Sequence, residues 1–331
     1  MAAALPAEFD LIARYFAPLA AGRAGAAGLT DDAAFLEIDP GSELVVTADA
    51  LVGGVHFLRD DPPELVARKA LRVNLSDLAA KGATPLAYFL TIAFPPEIDE
   101  IWLAGFCGGL AADQAEFGIQ LMGGDTTATP GPLTLSVTAL GTAPRGRALR
   151  RAGARAGDAV LVSGSLGDAA LGLMALRGGL PPALTAEQRQ HLIGRYHLPQ
   201  PRTALGPRLA QAGLAHAAID VSDGVVADLG HVCRNSGLGA EIETARLPLS
   251  GAAAAAVEAS PELIAKVLSG GDDYEILFTA PVDALPRVAA LAEEARLPLT
   301  VIGHMRAGDR VRVIAPDGTE VELAQGGYRH F

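Results

Sequence analysis

Apolar positions recur along the chain with two periods, and the alternation between those periods sets the class of fold. Near the N-terminus Phe9, Ile12 and Phe16 share one side of a helical period, with Glu8, Asp10 and Arg14 around the rest, which predicts an amphipathic surface helix and not a signal peptide. A loop containing Gly22, Gly25 and Gly28 ends on Asp31 and Asp32. The run Leu44-Val45-Val46 predicts a buried strand, with Thr47, Asp49, Gly53, Gly54 and His56 expected just past its C-terminal end, where open sheets bind ligands. Pro62 and Pro63 open a helix over 62–81, whose core face carries Leu71, Leu75 and Leu78 while Asn74, Asp77 and Lys81 lie on another. Strands are expected over 86–96, 119–122 and 133–142, with a helix over 99–117, and the second of these strands runs into Gly123-Gly124-Asp125-Thr126-Thr127.

The composition then shifts to a short basic stretch with Arg145, Arg147, Arg150, Arg151 and Arg155. The seam between domains is placed there, giving domains of 1–144 and 145–331. Beyond it the pattern predicts a strand over 159–164, the turn Ser163 to Asp168, helices to about 213, and a strand ending near Asp220. A helix over 225–235 follows, in front of which Ser222 or Asp223 is placed to act as a cap. The stretch Gly270 to Glu275, a strand over 276–280, a helix over 283–296 and three short strands complete the chain. Strands and helices interleave throughout, so the class is α/β, mixed with α+β.

Bulk properties narrow the function. A chain of 331 residues suits about two domains, and with half its residues apolar and 19% charged it can bury a large core. A net charge of −12 argues against a nucleic-acid or anionic-membrane surface. The only lysines are Lys69, Lys81 and Lys266, so any phosphate would have to be met by arginine or metal ions. Cys107 and Cys233 stand singly, without zinc or disulfide spacing. The longest apolar run, 86–96, is far short of the roughly 20 residues of a bilayer span, and a cytoplasmic protein is expected.

Against this background one residue type recurs. Asp32, Asp49, Asp77, Asp125, Asp220 and Asp223 sit at expected strand ends, in loops or on one helix face, mostly beside Gly, Ser or Thr. Carboxylates with few histidines suit several Mg²⁺ ions, which bind through carboxylates, water and substrate phosphates. No Gly-Lys-Ser/Thr motif is present, so nucleotide phosphates would be held by metals and an arginine and not by a P-loop. The turn Ser163-Gly164-Ser165-Leu166-Gly167-Asp168 lacks the third glycine and the distant acid of a dinucleotide fingerprint, and reads as a plain strand-to-helix turn.

Several longer stretches carry a resemblance: Asp31-Asp32-Ala33-Ala34, TADALVGGVHF (47–57), ALRVNLSDLAAKGA (70–83), Gly123 to Thr127, GRALRRAGARAGD (146–158), IDVSDGVVADLGH (219–231), SGGDDYE (269–275) and the terminal GYRHF. In this order they resemble the thiamine-monophosphate kinases, of the superfamily that includes aminoimidazole ribonucleotide synthetase. The resemblance implies a two-domain fold, with an N-terminal sheet domain that binds ATP and metal and pairs in a homodimer, and a C-terminal α/β domain that closes the cleft. It implies ATP-dependent phosphorylation of thiamine monophosphate. By motif position Asp32, Thr47, Asp49, Asp77, Asp125, Asp220 and Asp223 are the implied metal ligands; Gly124, Asp125, Arg151 and Ser222 the implied ATP contacts; and His56, Asp272 and Tyr328 the implied contacts to thiamine phosphate. Asp49, Asp125, Arg151 and Asp220 are the implied catalytic set. The chain departs from the family pattern at Thr30, where Gly is usual, at Ala48, where Thr is common, and at Asp272, where Glu is usual. Another ATP-using member of the superfamily and a non-catalytic Mg-nucleotide sensor are the alternatives.

Overall fold

The computed structural model describes residues 5–323 and 326–328. The chain forms two units, one of Met1–Leu78 with Ala83–Gly146 and the other of Ala79–Gly82 with Arg147–Phe331.

In the first unit α1 (Glu8–Leu11) runs into a wider helical turn over Ile12–Phe16, burying Leu11 and Phe16 but leaving Phe9 exposed. Four strands follow, β1 (Ser42–Val52), β2 (Thr84–Phe94), β3 (Gln120–Ala128) and β4 (Thr134–Pro144), in the order β1-β4-β2-β3. Pairing is antiparallel except between β2 and β3. Helix α2 (Pro63–Ala80) buries Leu71, Leu75 and Leu78 fully, as its periodicity predicts. Helix α3 (Glu100–Phe117) starts at Asp99, whose carboxylate accepts the Trp102 amide at 2.8 Å. Arg72 on α2, itself buried, is held by Asp113 and Glu116 of α3 at 2.7–2.9 Å.

Two expectations are corrected here. β1 does not stop at Val46 but continues to Val52, and β3 continues past Met122 to Ala128. Thr47, Asp49 and Asp125 are therefore displayed on the faces of strands and not beyond their ends. The run Leu44-Val45-Val46 is also not buried throughout, since Leu44 is 42% and Val46 55% exposed.

The second unit is built on a six-stranded sheet, order β10-β7-β9-β5-β8-β6, of β5 (Ala159–Ser163), β6 (Ala217–Asp220), β7 (Gly239–Glu243), β8 (Ile276–Ala280), β9 (Leu299–Arg306) and β10 (Val311–Ile314). Two strands follow the last helix among the described residues, where three were expected. The helices are α4 (Asp168–Leu176), α5 (Ala186–His197), α6 (Gly206–Ala212), α7 (Val225–Ser236), α8 (Gly251–Ala259), α9 (Ile264–Ser269) and α10 (Leu285–Ala295). β5 and β8 are buried along their whole length, because the sheet is covered on both faces. Val160, Val162 and Leu277 pack with Leu229 and Val232 of α7, whereas Leu161 and Phe278 pack with Leu209 of α6 and Val288 and Leu291 of α10. Cys107 and Cys233 are both buried free thiols. No helix among the described residues is long and apolar enough to cross a membrane.

Candidate functional site

Within the first unit the acids form two groups. Residues along a strand alternate between faces, so Thr47 and Asp49 point away from the side that exposes Leu44, Val46, Ala48 and Ala50. They meet Asp77 of α2, whose Oδ2 accepts the Thr47 hydroxyl at 2.5 Å. Burial, and next the negative charge of Asp77, push Asp49 up to about 6 from the ordinary 3.8. Thr47, Asp49 and Asp77 thus make a set of hard oxygens in which the two carboxylates repel each other.

Asp125 lies elsewhere. The register aligns Asp125 with Thr91, Thr91 with Ser136 and Ser136 with Ala50, whereas Asp49 aligns with Val137. Asp125 therefore shares the outer face with Ala50, opposite to Asp49. There it borders a cleft of about 650 Å³ together with Asp31, Asp32 and Gly124, and Phe9, Phe16, Phe89 and Met122 line the same cleft. His56 lies past β1, where its Nδ1 accepts the Val52 amide at 2.9 Å. In the neutral ring the proton consequently resides on Nε2, which makes that atom a donor.

The second unit assembles three segments by their backbones. The Asp272 amide donates to the Ser222 carbonyl at 2.9 Å, the Tyr274 amide to Val221 at 2.8 Å and the Tyr328 amide to Asp223 at 3.0 Å. Asp220, Ser222 and Asp223 are thereby brought beside the implied substrate contacts Asp272 and Tyr328; the last three residues of GYRHF lie outside the described residues. Gly271 is needed for this approach, because a Cβ there would stand 2.3 Å from the Ser222 carbonyl oxygen. Asp272 and Tyr274 both adopt left-handed backbone, at φ 75° and 51°, and the Tyr274 hydroxyl reaches the Asp272 carboxylate at 3.3 Å. Such strain in a bulky residue persists only where its surroundings impose it.

The residues between and after impose it. Asp273 is buried and accepts the amides of Gly167 at 2.6 Å and Ala169 at 3.3 Å, and Glu275 is buried against Ser163, Arg195 and Arg202. Asp273 also shows why the Ser163 turn is a plain turn, since a carboxylate of the protein already satisfies the amides at the start of α4.

The expected cap of α7 is corrected. Its cap residue is Gly224, and neither Ser222 nor Asp223 caps it. Asp228, from the first turn, reaches back instead: its Oδ2 accepts the amides of Ser222, Asp223 and Gly224 at 3.0, 3.0 and 3.1 Å. Burial, then Asp220 and Asp223, push Asp228 up to about 8. Asp223, Asp228 and His231 each offer an atom within 4.8 Å of the others. They suit a metal less well than the Asp49 group, because the His231 Nδ1 already meets Arg234 at 3.0 Å, leaving the proton on Nε2. His231 is depressed by burial and by Arg234 and Arg151, which puts the exposed Arg151 in its neighbourhood. Asp228, His231 and Tyr274 escape the sequence-based reasoning, although the spacing of Asp228 and His231 on one helix face could have drawn attention to them.

Two family models match this chain, the AIR synthase related protein N-terminal domain over residues 30–143 and its C-terminal domain over 155–316. A thiamine-monophosphate kinase of Caulobacter vibrioides is 45% identical, covering 99% of this chain and 92% of that protein. The chain belongs to the thiamine-monophosphate kinase family. Among solved structures, a thiamine-monophosphate kinase from Stenotrophomonas maltophilia is 43% identical with a TM-score of 0.80, covering 88% of this chain and 91% of that one. A structure of AaThiL complexed with AMPPCP and TMP is 32% identical with a TM-score of 0.76, covering 90% of each chain. The two-domain α/β fold expected from the sequence is that of these relatives.

Proposed function

We propose that this chain transfers the γ-phosphoryl group of ATP to the phosphate of thiamine monophosphate, giving thiamine diphosphate and ADP. The observation that carries this is the near full-length likeness to thiamine-monophosphate kinases, including one complexed with AMPPCP and TMP.

The acceptor is a phosphate monoester with a second pKa of about 6, so near neutral pH it is already a nucleophile and needs no strong base. The barrier is repulsion between two anions, and catalysis then rests on positioning and charge stabilisation. Thr47, Asp49 and Asp77 fit Mg²⁺ by donor chemistry, and the repulsion between the two carboxylates is what a cation relieves. We assign Asp32 and Asp125, and Asp220 and Asp223, to further ions. Bound Mg²⁺ would supply charge neutralisation at the phosphates. Arg151 adds fixed positive charge, Gly124 and Ser222 contact the nucleotide, and the His56 Nε2 proton is a donor for the acceptor phosphate. Asp272 and Tyr328 face the thiazolium cation, to which a carboxylate and an aromatic ring are both attractive. Transfer is in line and direct.

We further propose a cytoplasmic homodimer in which the β1 edge of the outer face of the first unit's sheet, with exposed Leu44 and Val46, packs on a second copy, the Asp125 cleft lying toward the opposite, β3 edge. In this assignment 1–144 binds ATP and metal and dimerises, and 145–331 is the second domain. Incubation with γ-labelled ATP and thiamine monophosphate tests the reaction. Label is expected in thiamine diphosphate and none on the protein; covalently labelled protein would contradict direct transfer.

A further inference from the structure

The turn between β6 and α7 has its backbone committed on both sides. Its amides at Ser222, Asp223 and Gly224 converge on one oxygen of Asp228. Its carbonyls at Ser222 and Asp223 accept the amides of Asp272 and Tyr328 at 2.9 and 3.0 Å. An array of amides at a helix start ordinarily attracts an anion from outside. Here the buried Asp228 carboxylate fills that place from within, so the turn offers a ligand its side chains. The packing leaves the turn little freedom: a Cβ on Gly327 would stand 2.8 Å from the Asp223 carbonyl oxygen and 2.3 Å from Ala227 Cβ. A shift of the turn would move Ser222 and Asp223 on one side and Asp272 and Tyr328 on the other.

We infer that Asp228 is a positioning residue that couples the nucleotide and metal contacts of this turn to the contacts for thiamine monophosphate. The inference rests on the kinase assignment above. Asp228 itself touches no substrate; it fixes the residues that do. Removing its carboxylate leaves buried amides without an acceptor, and the turn must rearrange to satisfy them. An asparagine keeps one acceptor oxygen and is the conservative replacement.

The experiment uses the full chain as wild type, Asp228→Ala and Asp228→Asn. It measures Mg²⁺-dependent binding of AMPPCP by calorimetry, KM for thiamine monophosphate, and melting temperature. In Asp228→Ala, AMPPCP binding is expected to weaken and KM to rise together, each by about 10- to 100-fold. Asp228→Asn is expected to fall between that variant and wild type. A merely structural role would lower the melting temperature with both ligand constants unchanged in the folded protein, and that result would overturn the inference. If Asp228→Ala does not fold, Asp228→Asn decides by the same two constants. Wild type that binds Mg-AMPPCP but forms no thiamine diphosphate would refute the kinase assignment, while the AMPPCP titrations still decide whether Asp228 positions the turn.

Discussion

Asp49 is under two pressures that an exposed carboxylate escapes, partial burial and the neighbouring charge of Asp77. A carboxyl raised in the folded protein favours folding most below its unfolded value of 3.8, and that contribution is lost as pH rises through about 6. Mg²⁺ competes with the proton for the same oxygens. The Mg²⁺ concentration that half-saturates thermal stabilisation is therefore expected to be higher at pH 5 than at pH 7.5; equal values would contradict the assignment of Asp49 as a ligand. At this scale the sequence points to the acids as candidates because Asp beside Gly, Ser and Thr is a local pattern. Asp228 was not legible as a brace, since its purpose depends on amides that precede it and on burial that no spacing reveals. Tyr274 carries no local signal, because its left-handed backbone follows from Asp273 and Glu275 being anchored in the interior.

Among the elements, helix α2 followed its periodicity closely, because an apolar stripe facing a core leaves little choice. The strands β1 and β3 ran past their expected ends for an instructive reason. In β1 the alternate residues Leu44, Val46, Ala48 and Ala50 are the apolar set and lie outward, while the set with Thr47 and Asp49 faces α2. This inverts the usual pattern of apolar inside and polar outside, so the strand looked finished where its polar residues began. Between elements, Gly271 permits the contact that joins the 270–275 segment to the turn after β6. Gly271→Ala is expected to lower kcat/KM for thiamine monophosphate by about 100-fold, as a misplacement near 1 Å can, in steady-state assays. Unchanged kinetics would show that the approach of the two segments is dispensable.

For the molecule as a whole, the stability of the second unit depends on Glu275, which ties β5, α5 and the segment before α6 together through Ser163, Arg195 and Arg202. Glu275→Ala leaves two arginines without their buried partner and is expected to cost about 3–5 kcal/mol in urea denaturation. The class of fold was readable from the interleaved periods. The separation of Asp49 from Asp125 onto two faces of one sheet was not, because it depends on the strand order β1-β4-β2-β3, which local sequence does not encode. If the β1 edge of that sheet's outer face is covered by a second copy, Leu44→Asp combined with Val46→Asp should convert a dimer to a monomer in light scattering. A wild type that is already monomeric would contradict the dimer.

The central claim is that a carboxylate-held metal site in this chain transfers phosphate to thiamine monophosphate. Its most direct measurement is formation of thiamine diphosphate from Mg-ATP and thiamine monophosphate, followed by chromatography of the oxidised fluorescent product, in wild type and Asp49→Asn. Wild type is expected to form product and Asp49→Asn to be slower by about 100-fold or more while remaining folded. Product formed equally well by Asp49→Asn, or ATP bound by wild type with no product, would contradict it.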